Sequence, residues 1–154
     1  MQKWHGFWRL TGTERGILLE ATVALVVTWL GLRLSGFRRW NLLLSRLAPA
    51  RAEKGALPPS LLVSARLLAR MESAAARNLF YPASCLERSM VLCWLLRTRG
   101  IPAELRVGAH KDADRFEAHA WVECAGIVLN EADDVHVHFV PFDEPISSPE
   151  TASH

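Results

Sequence analysis

Apolar residues recur at helical spacing over roughly the first hundred positions and at every second position over much of the remainder. Residues 17–34 are almost wholly apolar, interrupted by Glu20 near one end and Arg33 near the other. Thr11 followed by Glu14 spells a capping box and predicts an apolar helix over residues 14–35. The neutral centre between the two charges is shorter than the roughly 20 apolar residues of a membrane span. A helix buried on most sides is therefore expected, in preference to a membrane anchor. Arg33, Arg38 and Arg39 leave surface association as the lesser reading. Residues 37–47 make a second amphipathic segment, and Pro49, Gly55, Pro58 and Pro59 mark a linker. Helix resumes over residues 60–77, capped by Ser60, with Leu61, Leu62, Ala65, Leu68, Ala69 and Ala75 or Ala76 on its apolar face. Pro82 disfavours helical geometry in the residue before it, so residues 79–82 read as an extended connection.

The next helix has both ends written in sequence. Ser84 and Glu87 form a second capping box, Gly100 suits a left-handed C-terminal residue, and Pro102 forbids a restart. Leu86, Met90, Cys93, Trp94 and Leu96 are expected to face the core. After Gly100 the period changes to two. Residues 103–109 alternate, residues 110–115 read as a charged loop, and residues 116–124 alternate again. Phe116, Ala118, Ala120, Val122 and Cys124 fall on one face, and Glu117, His119, Trp121 and Glu123 on the other. Ala125 and Gly126 make a tight turn, residues 127–130 return antiparallel, and residues 135–140 form a further strand. Helices first and a small antiparallel sheet afterwards predict an α+β fold. The expected division is a helical extension over 1–58, a core over 59–145 and a loose tail over 146–154.

Composition changes this picture only in places. The 154 residues suit one domain with a real core. All but two of the 18 Lys and Arg lie before residue 110, whereas residues 110–154 are acidic. The arginines are scattered along helices and not focused into a stripe with groove-reading elements, so no nucleic-acid partner is expected. Three cysteines, an odd number without a spaced framework, fit a reducing compartment. The first residues lack the apolar stretch and cleavage site of a secretory signal. No phosphate-binding glycine loop occurs, and neither does Cys-x-x-Cys or His-Glu-x-x-His. His136 and His138, with Asp133, Asp134 or Cys124 nearby, read as a solvated strand face rather than a zinc site. No metal or cofactor is expected.

The candidate chemistry centres on Cys85, at the first helical position. There the unpaired N–H groups and the helix dipole favour a thiolate. A cysteine nucleophile needs a base, and the base needs an orienting partner. His119 is the candidate base. Asn130, Glu131 and Asp133 are open as the third member. Trp121 and Glu117 are candidates to line a substrate groove, Trp121 also to shield the base. Cys93 and Cys124 read as core.

The segments Ser84 to Ser89, Leu95 to Gly108 and Glu117 to Glu123, with Gly126, Asn130 and Glu131, resemble the lasso-peptide leader peptidases. These are bacterial members of the transglutaminase-like, papain-related superfamily, and the likeness covers most of the chain. The resemblance implies a helix bearing the nucleophile packed on a small antiparallel sheet, behind an N-terminal helical extension. It implies Cys85 as nucleophile, His119 as general base and acid, and Glu131 as the acid where the family usually has Asp. The implied substrate is a ribosomally made precursor peptide whose leader is cut away. The implied partners are a separate leader-recognition protein and a lasso cyclase, in the bacterial cytoplasm. Two other readings remain: acyl transfer to an amine by the same pair, and a non-enzymatic module that docks a protein or a membrane.

Overall fold

Thr11 opens the first helix as its spacing requires. In the computed structural model, which describes residues 10–50, 57–112, 115–130 and 140–141, the Thr11 hydroxyl accepts the Glu14 N–H at 3.2 Å. The Glu14 carboxylate in turn takes the Thr11 N–H at 2.9 Å. Helix α1 (Gly12–Leu47) breaks at Gly36, whose φ of 74° and ψ of 166° are open to glycine and strained for any side chain. The break divides the two expected segments and folds the second back, so that the Trp40 indole lies against Gly31. α2 (Pro59–Arg77) starts on Pro58 as cap, without a side-chain hydrogen bond. Ser60 was the expected cap and lies inside the helix instead. Pro59 at the first position already has helical φ and lacks the N–H a cap would satisfy.

α3 (Cys85–Thr98) has the expected ends. The Ser84 hydroxyl accepts the Glu87 N–H at 3.2 Å, and the Glu87 carboxylate takes the Ser84 N–H at 2.8 Å. At the other end Gly100 has a φ of 73°, and its N–H and that of Ile101 return to the carbonyls of Arg97 and Leu96, both at 3.0 Å. These are the two hydrogen bonds of a Schellman motif. Val91, Leu92 and Leu95 are buried along with Met90, Cys93 and Leu96, so the helix is enclosed on more sides than its stripe predicted, while Leu86 and Trp94 are half-buried.

The sheet is antiparallel, in the order β3-β2-β1-β4. β1 (Glu104–Asp112) and β2 (Arg115–Cys124) form a long hairpin, in register from Glu104 opposite Glu123 to Asp112 opposite Arg115. The expected loop over residues 110–115 is therefore mostly strand, because the ladder continues through its charged residues. β3 (Ile127–Val128) is short and follows the predicted turn, in which Ala125 and Gly126 both have positive φ. β4 (Val140–Pro141) pairs with β1 at Gly108 and Ala109.

One core joins the helices and the inner face of the sheet. Ile17, Ala21 and Leu25 of α1 meet Ala65 and Leu68 of α2, Leu92 and Leu96 of α3, and Leu105, Val122 and Cys124 of the sheet. Arg99 pairs with Glu20, and Tyr81 donates to the Leu25 carbonyl at 3.1 Å, fastening α1 from two sides. The expectation that α1 is buried on most sides is corrected here. Ile17, Ala21, Leu25, Thr28 and Gly31 are buried, whereas Leu19, Val23, Val27, Leu30 and Leu34 are exposed, Leu34 by 85%. α2 and α3 both pack on one side of α1, which leaves its second apolar face uncovered. By length and composition α1 is sufficient to cross a membrane.

Candidate active site

Cys85 is the first residue of α3 and is half-buried. The capping box uses the N–H groups of Ser84 and Glu87. Those of Cys85 and Leu86 belong to the first turn, which has no intrahelical acceptor, and point the way an incoming anion would approach.

Three contacts fix α3 against the sheet, one on β2 and two just before β1. The Ser89 hydroxyl, one turn after Cys85, donates to the Ala120 carbonyl at 2.9 Å and is fully buried. Further along, the Cys93 thiol (3.7 Å) and the Arg97 guanidinium (2.9 Å) reach the Ala103 carbonyl. Ala103 precedes Glu104, whose partner on β2 is Glu123. Helix and strand thus run in the same direction. One turn back from Ser89, Cys85 comes level with the residues just before Ala120. Ala120 is 2% exposed and Ala118 is exposed, so the helical layer ends between them, beside His119.

The pleat sets the two side chains apart. Val122 and Cys124 face the helices, and Ala120 with them by alternation. His119, Trp121 and Glu123 take the other face, as the alternation predicted. The His119 and Trp121 rings lie parallel within 19°, centroids 6.5 Å apart. The Trp121 indole is fully buried, packs with Val128 and donates to the Glu123 carboxylate at 2.7 Å. Cys85 and His119 therefore stand at the same end of β2, one on the helix side and one on the far side, with the strand's rim between them.

Asn130 occupies that rim. Its side-chain oxygen accepts the Val122 N–H at 2.9 Å, and its amide donates to the Ser89 hydroxyl at 2.8 Å. It clasps the sheet to α3. Glu131 and Asp133, the other candidates for the third role, lie outside the described residues, as do Asp134, His136 and His138. Glu117 pairs through its backbone with His110. Burial pushes the Cys93 and Cys124 thiols up to about 11, which suits their reading as core. Among the described residues no three metal-ligating side chains stand together.

Two contributors escaped the sequence reading. Ser89 is four residues beyond Cys85 and so on the same helix face, a position its small polar side chain made look like a gap. Glu72 is fully buried and paired with Arg88 at 3.1 Å. Its spacing from Leu68 and Ala75 set it on the apolar face, the one signal available.

A family profile described as the transglutaminase-like superfamily matches residues 24–143. No curated protein matched the chain, and no solved structure did. The match takes in most of α1, the Cys85 helix and the His119 strand, and the chain belongs to the transglutaminase-like superfamily.

Proposed function

We propose that this protein is a cysteine peptidase that removes the leader from a ribosomally synthesised lasso-peptide precursor, with Cys85 as nucleophile and His119 as general base and acid. The observation that carries the reading is the position of Cys85 on the first turn of α3, whose next turn is bound through Ser89 to the residue that follows His119. Membership of a superfamily usually built around cysteine proteases and acyl transferases supports the chemistry. The likeness of residues 84–89 and 117–123 to leader peptidases supports the substrate.

In this mechanism His119 removes the proton from the Cys85 sulfur, and the thiolate attacks the carbonyl at the leader–core junction. The oxyanion is received by the Cys85 N–H. His119 then gives its proton to the departing core amine, leaving the leader as a thioester on Cys85. Water, deprotonated by His119, attacks the thioester; leader acid and free thiol result. Contact between imidazole and sulfur requires the ring to come round the rim of β2 beside Asn130. Glu131 is the proposed orienting acid, with Asp133 and Asn130 as its alternatives. A leader-recognition protein and a lasso cyclase are the proposed partners.

The test is mass spectrometry of a lasso precursor incubated with the protein, its leader-recognition protein and a competing primary amine. Release of the leader as free acid, lost on Cys85→Ala, is expected. A leader carrying the amine would identify an acyl transferase, and cleavage by the Cys85→Ala protein would remove Cys85 from the mechanism.

A further inference from the structure

Arg66, Arg70, Ser73 and Arg77 are spaced four, three and four residues apart on α2 and form one stripe along the helix. With Ala69, Leu129 and Asn130 they line an open groove of about 510 Å³. All three arginines are exposed, and among the described residues the lining contains no acid. Arg66 and Arg77 have no ion-pair partner among the described residues. Arg70 already shows what the stripe accepts: its guanidinium holds the Glu14 carboxylate at 2.7 Å, an exposed pair that another carboxylate could displace at little cost. A second acid beside the stripe, Glu72, is buried and taken by Arg88.

We propose that this groove binds an acidic stretch of the polypeptide substrate, an assignment that rests on the peptidase reading. The chemistry favours carboxylates, because guanidinium groups bind them through two parallel hydrogen bonds. Length agrees: from Arg66 to Arg77 the helix rises about 16 Å, the span of about five residues of extended chain. Position agrees as well. Asn130 lines the groove and also bonds Ser89, one turn from Cys85, so chain lying along the stripe leads toward the sulfur. Ala69 and Leu129 offer the extended segment a narrow apolar strip between the charges.

The experiment uses the Cys85→Ala protein and a fluorescein-labelled decapeptide alternating Asp or Glu with small residues, read by anisotropy. Its control has Asn and Gln in place of the acids. Binding of the acidic peptide at least tenfold tighter than the control, weakening as salt rises, is expected. The doubly substituted Arg66→Glu, Arg77→Glu protein should lose at least tenfold in affinity for the acidic peptide and gain affinity for a Lys-substituted one, measured at a temperature where its circular dichroism shows it folded. Equal binding of acidic and neutral peptides overturns the proposal, as does full affinity in the double variant. Displacement of the peptide by a single-stranded oligonucleotide that binds more tightly than it does would assign the groove to nucleic acid instead. The readout does not involve the thiol. Binding without cleavage by the native chain would therefore retain the groove and remove the peptidase, and cleavage without binding would do the reverse.

Discussion

The Ser89 hydroxyl donates to the Ala120 carbonyl at 2.9 Å, one helical turn beyond Cys85 and one residue beyond His119. It also accepts from the Asn130 amide at 2.8 Å, and Asn130 accepts from the Val122 N–H. A single buried oxygen thus ties the turn after Cys85 to the strand residue that follows His119. Ser89→Ala leaves the Ala120 carbonyl and the Asn130 amide each short of a partner, at a cost of about 1–3 kcal/mol. For a chain of this size the melting temperature should fall by roughly 3–9 °C. Leader cleavage should fall more than stability does, at temperatures where the variant is still folded. An unchanged melting curve with unchanged cleavage would show that the clasp positions nothing.

The three cysteines should separate cleanly by reactivity. Cys93 and Cys124 are buried and held up to about 11, so at pH 8 only about one part in a thousand of each is thiolate. Cys85 is half-exposed at the start of its helix. Iodoacetamide at pH 8 should add one carbamidomethyl group, located by peptide mapping on the segment containing Cys85. Modification of Cys93 or Cys124 at a comparable rate in the folded protein would contradict the burial of those two thiols.

Gly31 and Trp40 hold the two halves of α1 together beyond the Gly36 break. A Cβ added at Gly31 would run into the Trp40 indole, a rigid ring with neighbours of its own. Gly31→Ala should therefore destabilise by about 1–3 kcal/mol, the usual cost of overpacking, although alanine is the better helix former. Gly12→Ala, where nothing lies within 4 Å, is the control and should be neutral or slightly stabilising. Equal melting temperatures for the two variants would mean that the hairpin of α1 is not tightly closed.

Much of this arrangement is legible in the sequence, for local reasons. Thr11 with Glu14 and Ser84 with Glu87 set two helix starts, because a capping box is satisfied within four residues. Alternation from Phe116 to Cys124 sorts His119 and Cys124 onto opposite faces, because the pleat has a period of two. What was not legible depends on neighbours far along the chain. The apolar run over residues 17–34 reads as enclosed, but only packing decides that α2 and α3 cover one side and leave Leu19, Val23 and Val27 outside. Ser89 and Glu72 look like interruptions of apolar stripes until Ala120 and Arg88 arrive opposite them. The charged residues after Ala109 read as loop, yet the register with β2 carries them as strand to Asp112.

Glu72 makes the fold sensitive to pH in a direction opposite to most carboxylates. It is fully buried on α2, and both its oxygens take Arg88, at 3.1 and 3.3 Å, with the Ser73 hydroxyl at 3.4 Å. Burial raises its carboxyl above the usual range, and Arg88, Ser73 and Arg77 offset part of that rise. A carboxyl whose folded value is raised binds more protons in the folded than in the unfolded chain. Its contribution therefore weakens stability as pH climbs from the ordinary value of 4.5 through the raised one, and recovers on acidification. Arg88→Ala removes the main offset and leaves a buried charge with only the weaker help of Ser73 and Arg77, at a cost of about 3–5 kcal/mol near neutral pH. The loss should shrink at pH 5, where Glu72 can take up a proton, and should also shrink in the Glu72→Gln, Arg88→Ala double variant at pH 8. Urea melts at the two pH values measure both. If Arg88→Ala cost the same at pH 5 and pH 8, and Glu72→Gln restored none of it, the guanidinium would be acting through its packing and not through the carboxylate beneath it.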